Sequence, residues 1–375
     1  MFDLVLRNGT VIDPDQGMER VCDVAFVAGK VAAIGDKLGP AKAERDVSGL
    51  YVVPGLIDLH THVYWGGTSL GVDPDAYARQ SGVTTIIDAG SAGPGNMAGF
   101  RKHVIEPADV RILPFINISF AGIFAFSHWL MVGECDDMRL LHPRACVEVG
   151  KEHADIIAGI KVRVGKTASG ASGVAPVDMA LETADHLGLP VMAHLDHPPP
   201  YRPEVLERLR PGDIITHCFR PFPNTAVAAD GRIHKDVIAA RERGVIFDIG
   251  HGSGSFGFQT AMAMIKHGFL PDVISSDVHS LSIAGPAYDL LHTMSKFLAM
   301  GVKLPDVIRA TTINAAKAVR KSDRGTLRPG TLGDATVLSL EKGRVTFEDV
   351  IGQRIEGDGK LACRGIVLDG KWWHG

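Results

Sequence analysis

The chain has 375 residues, 45% hydrophobic and 22% charged, enough for one large domain or two smaller ones with a substantial core. A formal net charge of -4, with no run of lysine or arginine, excludes an electrostatic footprint for nucleic acid and implies no special partner. Five cysteines, Cys22, Cys135, Cys146, Cys218 and Cys363, sit far apart with no C-x-x-C pair, the opening MFDLVLRNGTVID has no signal-like pattern, and no apolar stretch reaches membrane-spanning length; the expectation is a cytoplasmic protein without disulfides or a membrane partner.

From Phe2 to Val53, short apolar runs are broken by turn residues: DLVLRNGTVID, CDVAFVAGKVAAIG and DVSGLYVVPG. Asn8-Gly9 and Ala28-Gly29 fall where hairpin turns are expected. The far end repeats this style in GDATVLSLEKGRVTFEDV and LACRGIVLDGKWW. Residues 1–54 and 325–375 are therefore expected to join into one small β-sandwich domain.

Residues 55–324 change rhythm. Strand-length apolar runs alternate with helix-like stretches: GLIDLHTH, GVTTIIDAG, VRILPFINISF, DIIAGIKVRVG, LPVMAHLD, GDIITHCF, GVIFDIGHG and PDVISSDVH. Runs rich in β-branched residues suggest parallel strands buried on both faces. Eight such units over about 260 residues match the size of an α/β protein of the (β/α)8 TIM-barrel class, with an open doubly wound sheet as the alternative. In a barrel, function sits at the C-terminal ends of the strands.

Those ends carry unusual residues. In PGLIDLHTHVYWGG, alternation puts Asp58, His60 and His62 on one strand face, a pattern that suits a metal pair and equally a half-buried strand. Lys161 lies on the fourth run, His194 ends the fifth, His217 the sixth and Asp277 the eighth. A single strand-end histidine is commonly just a hydrogen-bonded residue; four with an aspartate, converging on one mouth, are hard to explain that way. In GIKVRV, Lys161 is set among apolar neighbours, where desolvation favours the neutral amine, which can add carbon dioxide to become a carbamate; a carboxylate partner is the plainer alternative. Arg163, on the same face, suits an anion binder or a rim ion pair.

The chain resembles the amidohydrolase superfamily: PGLIDLHTH, Lys161, His194, His217 and Asp277 follow the family's order, as does the helix motif IRATTINAAKAV. RNGTVID with LRPGTLGDATVLSL matches the family's two-ended β domain. The resemblance implies a distorted (β/α)8 barrel with two divalent metal ions, zinc by type. It implies that His60, His62 and Asp277 hold the more buried ion, His194 and His217 the more exposed one, and carbamylated Lys161 bridges them. It further implies attack by a metal-bridging hydroxide, with Asp277 taking the proton and passing it to the leaving group.

The family leaves the substrate open. Dihydroorotase-like members carry an arginine two places after the second histidine, where Tyr64 stands here. HTHVYWGGTSLGVDPD looks most like a deacetylase-like branch often labelled dihydroorotase. The expected substrate is a small acylated carboxylic acid, amide or ester, losing its acyl group, with Tyr64, Arg163, Arg220 and Gly285 as substrate contacts. The alternatives are a cyclic amidase of the dihydroorotase or hydantoinase kind and a non-catalytic scaffold, which the six filled ligand positions argue against. Homo-oligomerisation is left open. Of the remaining motif-like stretches, GKT at Gly165–Thr167 lacks the upstream glycine of a phosphate loop, since Ile160 occupies that place. HGSGSFG (251–257) suits a substrate loop or a plain connector, and Phe124, Phe126, His128 and Trp129 suit either a pocket lining or helix packing.

Overall fold

A computed structural model describes all 375 residues. The chain opens with β1 (Phe2–Asp13), β2 (Met18–Val27), β3 (Lys30–Gly35), β4 (Ala41–Asp46) and β5 (Tyr51–Pro54). Ala28-Gly29 turns β2 into β3, with both residues at positive φ as a tight hairpin requires. Asn8-Gly9 does not turn the chain: β1 runs through it as a bulge, the register to β2 slipping between Leu6 and Gly9 and Asn8 sitting at φ 62°. There β1 comes so close to its paired neighbour β5 that a Cβ on Gly9 would lie 2.5 Å from Val52 Cγ2.

Seven parallel strands follow in spatial order: β6 (Leu56–Thr61), β7 (Val83–Asp88), β8 (Arg111–Asn117), β9 (Gly159–Val164), β10 (Val191–Leu195), β11 (Ile214–Ile215) and β12 (Ile246–Phe247). Every residue of β6, β7 and β9 is buried, as expected of strands covered on both faces. The eighth run, PDVISSDVH, forms no regular ladder but closes the ring through single bridges, Asp248 to Val273 and Thr61 to Val278. Asp277 N donates to His60 O at 2.7 Å and His62 N to Val278 O at 2.9 Å, tying the last segment to the first strand. The result is a distorted barrel.

Helices pack outside it by apolar stripes. The helix Ala175–Leu187 buries Pro176, Val177, Ala180, Thr183 and Ala184, a three-to-four spacing, and stops at Gly188 in the left-handed region. The chain then returns to the first sheet with β13 (Ala335–Glu348), β14 (Arg354–Leu368) and β15 (Lys371–His374). β5 pairs with β1 on one side and antiparallel with β13 on the other, so both chain ends share a sheet and a core that includes Leu4, Leu6, Val24, Phe26, Val337 and Val367. No helix is long and apolar enough to cross a membrane.

Candidate metal centre

The strand ends bring six predicted residues around one point. His60 Nε2 and His62 Nε2 each lie 3.3 Å from Asp277 Oδ1, and the three offer ligand atoms all within 4.8 Å of one another. Lys161 Nζ is 3.4 Å from His60 Nε2, and His217 Nε2 is 2.7 Å from His194 Nδ1. The His60 and His217 rings lie 5.1 Å apart, which joins the two groups. All but His194 are buried, and the six line a small pocket of about 30 Å³ with Leu70, Ile123, Phe126, Arg163 and His279.

Plain alternation fails at one residue of β6. Its register slips between Asp58 and Thr61, and Asp58 accepts from Tyr77 Oη and Ser276 Oγ, both at 2.5 Å, whereas His60 and His62 face Asp277. Asp58 thus supports the last strand segment instead of sharing the histidines' face.

Hydrogen bonds fix the imidazole tautomers. Thr216 Oγ1 donates to Asp248 at 2.7 Å, so it accepts from His60 Nδ1 at 2.9 Å and leaves Nε2 bare toward the site. Ser91 Oγ donates to Asp88 at 2.8 Å and likewise accepts from His62 Nδ1 at 2.9 Å. His217 Nδ1 donates to Gly250 O at 2.6 Å, which bares its Nε2 as well. This is the outer-shell arrangement that orients metal-ligating histidines.

Burial lowers every imidazole: His62 to about 3, and His60, His194 and His217 well below their ordinary value. All four are therefore neutral at pH 7, the ligating form. Burial also lowers Lys161 to about 7, against the opposing pull of Asp277, and raises Asp277 to about 6. The left-handed backbone at His217 (φ 64°) and Asp277 (φ 48°) is uncommon for residues other than glycine and marks a strained site.

A cation fits this donor set. His194 Nε2 is buried with no hydrogen-bond partner, while Nδ1 faces the bare Nε2 of His217. Either tautomer of His194 leaves a nitrogen unmatched or two lone pairs opposed, and a positive ion accepted by both nitrogens would relieve the second arrangement. The lysine stem is cradled by Gly90 (φ 79°), where a Cβ would lie 2.5 Å from Lys161 Cβ.

The predicted substrate contacts are scattered. Arg163 lines the cavity, but its guanidinium already holds buried Glu134 at 3.0 Å and lies 5.0 Å over the Phe126 ring. Arg220 shares a small neighbouring pocket with His217, outside the cavity lining, donates to Ser255 Oγ at 3.2 Å and forms no salt bridge. Tyr64 stacks on Phe100 at 4.5 Å and reaches Asn96 O, outside the cavity lining. Gly285, at φ 125° beside Tyr288, is also outside it. Of the loop aromatics, Phe126 walls the cavity while Phe124 and Trp129 are exposed.

His279 escaped the sequence reading. It lines the cavity, its Nδ1 accepts from Leu281 N at 3.1 Å so that Nε2 carries the proton, and burial lowers it to about 4. The signal was present, since Asp277 and His279 repeat the i, i+2 spacing of His60 and His62. A larger groove of about 1040 Å³, lined by Tyr201, Phe222, His234 and Ile351 among others, shares no residue with this cluster and carries no comparable chemistry.

No family model matches the chain. A deacetylase of Brucella anthropi is 38% identical over 314 residues, covering 83% of this chain and 77% of the relative. Among solved structures, an adenine deaminase superposes with a TM-score of 0.93 at 28% identity, covering all of both chains. A dihydroorotase superposes with a TM-score of 0.90 at 33% identity, covering 100% of this chain and 99% of that one.

Proposed function

The chain belongs to the amidohydrolase superfamily and is a metal-dependent amidohydrolase, and we propose that it removes an acyl group, acetyl in the first instance, from a small amide or ester bearing a carboxylate. The observation that carries this reading over ring opening is Tyr64. A dihydroorotase-like site has a cation at that position, whereas here a phenol packs away from the cavity against Phe100. The 38% identity to a deacetylase supports the same choice.

In this reading His60, His62, Asp277, His194, His217 and Lys161, the last as its carbamate, would together hold two divalent ions. Bound there, such ions, zinc by type, would polarise the scissile carbonyl and bring the acidity of water near neutral pH. Asp277, raised to about 6 by burial, is mostly a carboxylate at pH 7; it accepts the water's proton and releases it to the departing nitrogen or oxygen. His279 Nε2–H is placed to donate a hydrogen bond into the cavity, and Arg163 or Arg220 supplies the cation for the substrate carboxylate.

The test is metal content per chain together with a screen of N-acetyl and O-acetyl carboxylic acids in both stereochemical forms. Near two ions per chain with acetate released, and turnover nearly abolished in Asp277→Asn with metal retained, is the expected result. Ring opening of a cyclic amide without deacylation would favour the dihydroorotase-like reading, for which the 33% identical structure speaks.

A further inference from the structure

A second polar cluster lies behind the metal centre. Lys296, on the helix Leu290–Ala299, is fully buried, and its Nζ meets three acceptors: His251 Nε2 at 2.7 Å, Pro286 O at 2.8 Å and Glu348 O at 2.7 Å. His251 Nδ1 donates to Gly252 O at 2.9 Å, so Nε2 holds the lone pair and the three ammonium protons are matched one to one. Phe256 stacks on the His251 ring at 4.7 Å, which leaves the imidazole little freedom. Burying a cation is costly, and burial lowers Lys296 to about 7, against the opposing pull of Asp349 and Glu348.

The cluster grips the middle of a three-residue loop, and each end of that loop touches the candidate metal ligands. Gly250 O accepts from His217 Nδ1, and a Cβ on Gly250 would lie 2.3 Å from Thr216 Oγ1, the hydroxyl that orients His60. Gly252 N donates to Ser276 O at 2.9 Å, and a Cβ on Gly252 would lie 2.3 Å from Asp277 Oδ2. Residues 250–252 are thus a back wall against His217, Thr216 and Asp277, with His251 as its anchor. The other two bonds of Lys296 run to the segment after His279 and to the end of β13 in the small sheet.

We propose that Lys296 is a positioning residue: by holding His251 it sets the loop 250–252 that aligns His217, His60 and Asp277, and through Glu348 O it ties that alignment to the small β domain. This rests on those three residues being metal ligands. Lys296→Met removes the donors at similar length, and His251→Phe removes the acceptor while keeping the stack on Phe256. Ser295→Ala is the control, because Ser295 Oγ accepts from Leu361 N at 2.9 Å, a tie between the same helix and the same sheet that does not involve the loop.

Each variant is loaded with cobalt, and its visible absorption spectrum, cobalt affinity and thermal stability are measured, with kcat and KM where an acyl substrate is turned over. Lys296→Met and His251→Phe should change the cobalt spectrum and weaken cobalt binding about 10-fold or more, the size expected for loss of an outer-shell partner, with kcat falling while KM holds. Ser295→Ala should lose stability and keep the wild-type spectrum. A folded His251→Phe protein with wild-type spectrum and affinity overturns the proposal, and so does an equal cobalt defect in Ser295→Ala. Should Lys296→Met fail to fold, His251→Phe decides alone. The cobalt readout needs no substrate, so a wrong assignment of the reaction leaves this test standing.

Discussion

Gly90→Ala is a direct probe of how Lys161 is held. Gly90 follows β7 at φ 79°, and a Cβ there would lie 2.5 Å from Lys161 Cβ and 2.6 Å from its Cγ. The left-handed conformation alone costs an alanine about 1 kcal/mol. Restoring ordinary carbon contact requires the lysine stem to retreat by about 1 Å, and overpacking in a fully buried strand adds roughly 1–3 kcal/mol. Gly188→Ala separates the two terms, because Gly188 has φ 66° with nothing within 4 Å of its Cβ position. Urea unfolding of both variants should show Gly90→Ala the less stable by that overpacking term of about 1–3 kcal/mol. The stem moves Nζ away from its 3.4 Å contact with His60, and a displacement of about 1 Å in a catalytic site costs on the order of 100-fold in rate. Metal content should fall with it. If Gly90→Ala matches Gly188→Ala in stability and keeps full metal content and turnover, the lysine is not placed by this contact and the reasoning fails.

Lys161→Ala should lose bound metal, with partial recovery on adding short carboxylic acids; metal binding at the wild-type level would mean another group bridges the site. Glu134→Ala leaves the Arg163 guanidinium buried without its anion and should destabilise by about 3–5 kcal/mol in urea, whereas Glu134→Gln keeps an acceptor and should cost clearly less; equal losses would show that charge is not what the pair supplies. Burial raises Asp248 to about 7 and Asp58 to about 6 from an ordinary 3.8, so the folded chain keeps protons that the unfolded chain has lost. The buried histidines, lowered below their ordinary 6.5, act in the opposite sense, so the test is the difference between variants: relative to wild type, metal-free Asp248→Asn should gain unfolding free energy as pH rises from about 4 to about 7. An unchanged slope in the variant would remove Asp248 from the account.

The barrel was legible because parallel strands covered on both faces must be continuous apolar runs, and seven of the eight runs named from the sequence became strands of one sheet. What periodicity could not give was their quality. β11 and β12 shrink to two residues each, β11 stopping just before the left-handed His217, and the eighth run, interrupted by the left-handed Asp277, closes the ring by single bridges. Asn8-Gly9 shows the limit of a dipeptide signal: Asn8 does take a positive φ, but β1 goes on pairing with β2 beyond it, so the pair is a bulge within a long strand and not a turn. Asp58 shows the limit of alternation, since one register slip sends it to Tyr77 and Ser276.

Residue type at a strand end announced candidate metal chemistry, but the protonation geometry of each histidine lies in partners the sequence does not mark. His60 depends on Thr216, 156 positions away, and on Asp248 behind it; His62 depends on Ser91 and Asp88; His217 depends on a backbone carbonyl. Threonine, serine and glycine are too common in loops to stand out, and their roles here arise only when the barrel closes. The same holds for Gly90, Gly250 and Gly252, whose missing side chains make room for Lys161, Thr216 and Asp277. Replacing any of these quiet residues leaves the six-residue signature intact in sequence while removing the contact that aims it. A relative could therefore carry every histidine, the lysine and the aspartate and still bind metal poorly, so the competence of the site is decided one layer behind the residues by which it is recognised.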